Sequence, residues 1–244
     1  MRILVIVLIL TVSVSSCDPD PVGPRPYSYI IEGPQDLFPA FSPDGEYIAY
    51  FHDAWYPPDP DYPSGLYIIS RDGSNRKLVL LGEYFNSPSW SPDGQWLVFS
   101  TGGIIRKCKT NGESLTTFTG LGHLEYPEFY YPNWSSDGNY ILFDNPFHPD
   151  AGLYSMTSDF ENAERIFGRI ILGRDPESSP NGEYFVYYDW VNNTHPSEIF
   201  VSNLSGTFDK RLTNNNRDDR GPTWSSDGQK IAWSSNIRLV KFLK

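Results

Sequence analysis

The chain has 244 residues, 20% of them charged and 16% aromatic, with 21 Pro, 20 Gly and a formal net charge of −11. An acidic balance without a basic stripe argues against nucleic acid and against electrostatic attachment to anionic lipid. The Pro, Gly and aromatic content fits many short strands and turns, and all-β architectures of this length often form one domain.

Met1-Arg2 supplies a short positive start, and Ile3 to Val14 is almost uninterruptedly apolar. That run is too short for a typical membrane-spanning helix and reads as a secretory signal. It ends in Val14-Ser15-Ser16-Cys17, an aliphatic residue and two small ones before a Cys. The pattern resembles a bacterial lipobox, which implies a signal peptide over residues 1–16 and lipidation at Cys17; the plainer alternative is an ordinary signal peptide with a chance Cys. With Cys17 acylated, Cys108 has no intramolecular partner, and no disulfide framework is expected despite an oxidising compartment. Residues 17–26 then form the lipidated Cys and a Pro-rich tether, whose nine residues after Cys17 reach ~28 Å at ~3.1 Å per residue. The lipid bilayer is thus an expected partner through Cys17, with the protein anchored to a membrane of the cell envelope rather than spanning it.

A five-residue phrase recurs along the rest of the chain: Phe41-Ser-Pro-Asp-Gly45, Trp90-Ser-Pro-Asp-Gly94, Trp134-Ser-Ser-Asp-Gly138, Ser178-Ser-Pro-Asn-Gly182 and Trp224-Ser-Ser-Asp-Gly228. The steps between successive Asp or Asn residues are 49, 44, 44 and 46 residues, a period that marks a repeat architecture. Four short strands fit in each period. The first carries the phrase; the second follows it as Tyr47–Tyr50, Trp96–Phe99, Tyr140–Phe143, Tyr184–Tyr187 and Lys230–Trp233. These second strands are β-branched and aromatic with apolar residues on both faces, so both faces should be covered. Within the phrase, Pro presets φ, Asp can bond a nearby backbone N–H and Gly takes the left-handed position. Ser and Asp could suggest a nucleophile and its partner, but a catalytic centre is needed once and these residues recur, so they are expected to be turn residues. The aromatic residue that opens four of the phrases is expected to pack between repeats.

Pro-x-Trp-Ser-Pro-Asp-Gly followed by an apolar strand resembles the WD40-like PD40 repeat in the β-propeller of TolB-type periplasmic proteins. The resemblance covers residues 27–244 and implies an all-β fold, a β-propeller of four-stranded antiparallel blades. Five phrases predict five blades. The last lacks a fourth strand at the C-terminal end, and Tyr27–Glu32 is placed to complete it and close the ring.

In a propeller, loops joining strands two to three and four to one emerge on one face, and the tight turns emerge on the other. Length variation is confined to the first face: 53–64 in blade one, 144–150 in blade three and 189–196 in blade four, with 120–131 between blades. Trp55, Tyr56, Tyr62, His123, Phe147, His148, Trp190 and His195 lie there, with His52 beside them, and form the candidate binding face. His and Asp are natural metal ligands, but no recognisable ligand spacing occurs, so neither a metal nor another cofactor is expected. Aromatic loops with carboxylates and amides suit a protein or a glycan. The expected function is therefore a non-enzymatic binding module. The alternative is a metal-assisted carbohydrate-active enzyme, because oligogalacturonide lyases also resemble TolB-type propellers and use His with a metal; no Gly-x-Ser-x-Gly elbow is present for a serine hydrolase.

The lipobox reading is open to direct test. Cys17→Ser should leave a soluble or unprocessed species that incorporates no labelled fatty acid. Acyl labelling that persists in this variant would refute the anchor.

Overall fold

The structure, a computed structural model, describes residues 35–54, 61–122, 127–147, 149–167, 174–190 and 196–237. The signal, Cys17, the tether and the closing strand at 27–32 lie outside the described residues, as do Trp55, Tyr56, His123, His148 and His195.

Each phrase opens a meander of neighbouring antiparallel strands. The first sheet holds β1 (Gln35–Phe41), β2 (Tyr47–Asp53), β3 (Gly65–Ser70) and β4 (Lys77–Leu81). The second holds β5 (Phe85–Trp90), β6 (Trp96–Thr101), β7 (Ile104–Lys109) and β8 (Thr116–Thr117). The third holds β9 (Tyr130–Trp134), β10 (Tyr140–Asn145), β11 (Gly152–Thr157) and β12 (Ala163–Arg165). The fourth holds β13 (Arg174–Ser178), β14 (Phe185–Trp190), β15 (Ser197–Ser202) and β16 (Asp209–Arg211). A fifth sheet pairs β17 (Arg217–Trp224) with β18 (Ile231–Ile237), and these are its only strands among the described residues. The expected all-β class and four-stranded antiparallel repeat are therefore present, while the closing strand falls outside the description.

The period of two along a strand explains how the sheets stack. On β6, Leu97 and Phe99 join the first sheet's Phe51 and Leu66, whereas Val98 faces Ile141 and Phe143 of the third sheet. On β10, Leu142 turns the other way and meets Phe185 and Tyr187 of the fourth sheet. Val186 and Ile199 continue the stack to Ile231 of the fifth. Most of these side chains have no exposed surface, and each contributes on the order of 2 kcal/mol by burial. The core thus lies between sheets rather than within any one of them. Cys108 is part of it, a free and fully buried thiol that burial pushes up to about 12.

The phrase folds as a turn in every copy. Ser42 Oγ donates to Asp44 Oδ1 at 2.6 Å and accepts from the Tyr47 N–H at 2.9 Å, while Glu46 N–H donates to Asp44 Oδ1 at 3.0 Å. The same three bonds recur around Ser91, Ser135, Ser179 and Ser225. The Gly of each phrase has φ between 66 and 78°, a region that disfavours a side chain. Successive turns also touch: a Cβ on Gly138 would lie 3.6 Å from Pro92, and one on Gly228 would lie 3.7 Å from Pro180. Where Ser136 replaces the Pro, its hydroxyl donates to the Ser179 carbonyl at 2.9 Å, so the link between turns survives the substitution.

The phrase aromatics pack as expected at Trp90, which is buried in the cluster shared by the first two sheets. Phe41 departs from the pattern with 67% of its surface exposed.

Ser135 is fully buried, while its counterpart Ser225 makes its turn bonds near solvent. Ser135→Ala strands the Tyr140 N–H and should cost ~1–3 kcal/mol in chemical denaturation. Ser225→Ala should cost well under half as much, because water can replace the lost partner. Equal losses would show that the turn bond itself, not its burial, sets the cost.

Candidate functional site

One feature of the inner strands recurs as regularly as the turns. Phe38, Ser87, Tyr131, Asp175 and Gly221 each precede a Pro, and each has a left-handed φ of 45 to 57°. A following Pro bars the right-handed helical region to these residues. Each one coincides with a register shift between the first and second strands of its sheet. These are β-bulges, which place one residue outside the ladder and re-aim its side chain.

The five inner strands surround a single channel of about 900 Å³. Phe38, Ser87, Tyr131 and Asp175 line it together with Trp90, Trp134 and the turn residues Pro43, Pro92 and Ser136, and with the well-exposed Phe41 at its rim. Asp175 and Glu177 are the charged residues of the lining, and no Lys or Arg is among them.

Two residues after each bulge, a side chain ties its sheet to the next. Ser89 Oγ accepts from the Trp134 N–H at 3.0 Å, and Asn133 Oδ1 accepts from the Ser178 N–H at 2.9 Å. Glu177 Oε1 accepts from both the Trp224 N–H and the Thr223 hydroxyl, each at 2.9 Å. Ala40 has no side-chain acceptor, and there the Trp90 indole bonds the Ala40 carbonyl at 3.0 Å instead.

Burial governs the electrostatics of the fourth sheet. It pushes the Asp175 carboxyl from its ordinary 3.8 up to about 6, and Glu177 from 4.5 up to about 7 against the opposing pull of its two donors. Asp144 has no exposed surface, neither of its oxygens has a hydrogen-bond partner, and burial raises its carboxyl well above the usual range against the pull of Arg174. Tyr131, Arg174 and Asp175 interact with it electrostatically.

The described residues of the predicted face, Tyr62, Phe147 and Trp190, belong to three different repeats. Tyr62 lies under Arg76, whose guanidinium sits 4.1 Å from its ring centroid, in the first sheet. His52 is buried beside it, with Nδ1 2.7 Å from Asp36 Oδ1. Phe147 meets Tyr130 in the third sheet, and Trp190 meets Tyr188 in the fourth. Tyr130 and Tyr188 share Arg174 as an electrostatic neighbour, and Arg174 stands 5.7 Å from the Trp190 ring centroid. Trp190 thus adjoins Arg174, Phe147 adjoins Tyr130, and Tyr62 adjoins Arg76. No group of three or more potential metal ligands occurs among the described residues. The bulge residues were absent from the sequence-based set, although a Pro at fixed distance before each phrase marks them.

No protein-family model matches the chain. An uncharacterized protein of Agrobacterium fabrum (strain C58) is 23% identical over 167 residues, which cover 63% of this chain and 52% of that protein. The chain therefore spans about half the length of the curated relative it matches. Among solved structures, a candidate TolB of Agrobacterium tumefaciens superposes with a TM-score of 0.65 at 20% identity, covering 82% of this chain and 73% of that one. TolB of Acinetobacter baumannii gives 0.59 at 16% identity, covering 82% and 57%. The oligogalacturonate lyase of Vibrio parahaemolyticus gives 0.63 at 12% identity, covering 83% and 59%. The fold is that of a TolB-like β-propeller.

The raised carboxyls set a pH dependence. Their folded forms hold protons more tightly than the unfolded chain does, so their contribution to stability is full below about 4 and is lost as pH rises through about 6 to 7. Glu177→Gln keeps an acceptor for Trp224 and Thr223 but carries no buried charge. It should stabilise the protein by ~1–2 kcal/mol at pH 8 once the residue's partial exposure is discounted, a gain that shrinks toward zero by pH 4. Denaturation curves at both pH values check this, and a variant less stable at pH 8 would refute it.

Proposed function

We propose that the chain is a lipid-anchored propeller binding module of the cell envelope that holds a protein or glycan partner at its central channel without catalysing a reaction. The observation that carries this reading is the channel itself. Five inner strands repeat the same backbone, yet present Phe, Ser, Tyr, Asp and Gly at the bulge. The turn residues that close each repeat nearly recur, and the residues at the bulge differ, as a binding site on a repeat scaffold requires. The similarity to TolB propellers supports a binding role, and the lipobox-like Val14–Cys17 supports attachment to an envelope membrane. The Ser and Asp residues of the phrases are engaged in their turns, so they offer no free nucleophile.

The similarity to an oligogalacturonate lyase supports a second reading, a carbohydrate-active enzyme that works with a metal. The predicted histidines 123, 148 and 195 would have to supply its ligands. Release of unsaturated uronate from oligogalacturonate, abolished by chelator, would establish it.

Phe41 at the rim and Tyr84 just before β5 are both well-exposed aromatics, at 67% and 61%. Replacing each with a photo-crosslinking phenylalanine analogue in cells tests the channel. We expect a discrete adduct from position 41 and none from position 84. An adduct from position 84 alone would return the binding site to the loop face.

A further inference from the structure

We infer that the channel takes a basic side chain, the ammonium of a lysine or the guanidinium of an arginine presented by a protein partner, with Asp175 and Glu177 as its counter-charges. This rests on the channel being the binding site proposed above, and it names the chemistry of the group that enters.

Three observations converge on a cation. First, Asp175 and Glu177 line the channel with no Lys or Arg in the lining, which also includes Phe38, Tyr131, Trp90 and Trp134. Carboxylates among aromatic faces are the usual surroundings of a bound organic cation. Second, Glu177 directs both of its hydrogen bonds to Oε1, so the ring latch leaves Oε2 available. Third, Asp144 is a fully buried carboxyl whose oxygens have no side-chain or ladder partner among the described residues, and it interacts electrostatically with Asp175. Arg174 is the one cation that pulls on it, and its own Nε lacks a partner. Arg220 lies 3.9 Å from Asp218, and its field reaches Tyr188. The channel lining thus holds two carboxyls and no positive charge, which an entering cation would supply. The net charge of −11 would steer such a partner toward the protein.

The same geometry makes binding sensitive to pH. Asp175 is faced by Tyr131 from β9, Asp144 from β10, Tyr188 from β14 and Gly221 from β17, with Arg174 adjacent on its own strand. Glu177 is faced by Thr223 and Trp224 from β17, with Asp175 on its own strand. Burial holds both carboxyls partly protonated near neutrality, at about 6 and about 7, so a cation must displace protons to bind. Affinity should rise between pH 5.5 and 8.

The test uses the full chain, solubilised in detergent and labelled with 5-fluorotryptophan, so that Trp90 and Trp134 report on the channel by fluorine NMR. The probe is N-acetyl-arginine methylamide; its neutral isostere, N-acetyl-citrulline methylamide, is the control. We expect saturable shifts of the two resonances with the arginine amide and none with citrulline. Asp175→Asn with Glu177→Gln should weaken binding at least tenfold. That pair keeps the fold, because Asn tolerates a left-handed φ and Gln keeps the latch acceptor. Equal responses to arginine and citrulline, undiminished binding by the double variant, no response, or a response to calcium or magnesium chloride alone would each overturn the inference. If position 41 still crosslinks a partner in that case, the channel stands as the binding site and only the basic group is wrong.

Discussion

The left-handed residue ahead of each inner-strand proline is the constraint on which the channel depends. In four of the five sheets it is not a glycine, and such a conformation costs roughly 1–2 kcal/mol for an ordinary residue. The cost is tolerated because the flanking residues are held from both sides. One strand pairs with it, and two residues later a side chain or carbonyl accepts a bond from the next sheet. Strain and latch therefore occur together in the first four repeats. The bulge takes one side chain out of the ladder, and the latch keeps the strand carrying it in place.

This arrangement separates stability from recognition along a single strand. The turn that follows the inner strand is closed by its own Ser and Asp, and the second strand is buried on both faces between neighbouring sheets. Neither depends on which residue occupies the bulge. A propeller built this way can alter its channel one residue at a time while its core remains the same, which is why fold similarity at low identity says little about ligands.

Much of the fold was legible in the sequence because its causes are local. Turn chemistry occupies five consecutive residues, and the apolar second strand follows each turn directly. The period between copies then fixes the repeat. The site was less legible because its causes are not local. Asp144 lies more than thirty residues before Asp175, and only the packing of the third sheet on the fourth brings them together. The long loops drew attention by their length, yet Tyr62 and His52 are occupied with Arg76 and Asp36 within the first sheet. The proline before each phrase was visible throughout, but its significance depends on a backbone conformation that spacing alone does not reveal.

The fourth repeat shows why departures from the pattern are informative. It alone has Ser178 in place of the large aromatic and Asn181 in place of the turn aspartate. The missing indole leaves space against the third sheet, and the Tyr140 hydroxyl occupies it, donating to the Gly182 carbonyl at 2.9 Å and lying 3.3 Å from Ser178 Oγ. A neighbour has thus taken over the packing role that the other repeats assign to their own aromatic. The same repeat carries both channel carboxylates, Asp175 and Glu177, and a buried charge on a packing strand normally destabilises it. Glu177 offsets part of that cost by serving as the latch to the fifth sheet, but Asp175 has no comparable structural bond. On the proposed reading, a carboxyl kept in a channel wall without a structural bond of its own among the described residues serves what the channel binds rather than what holds the ring together.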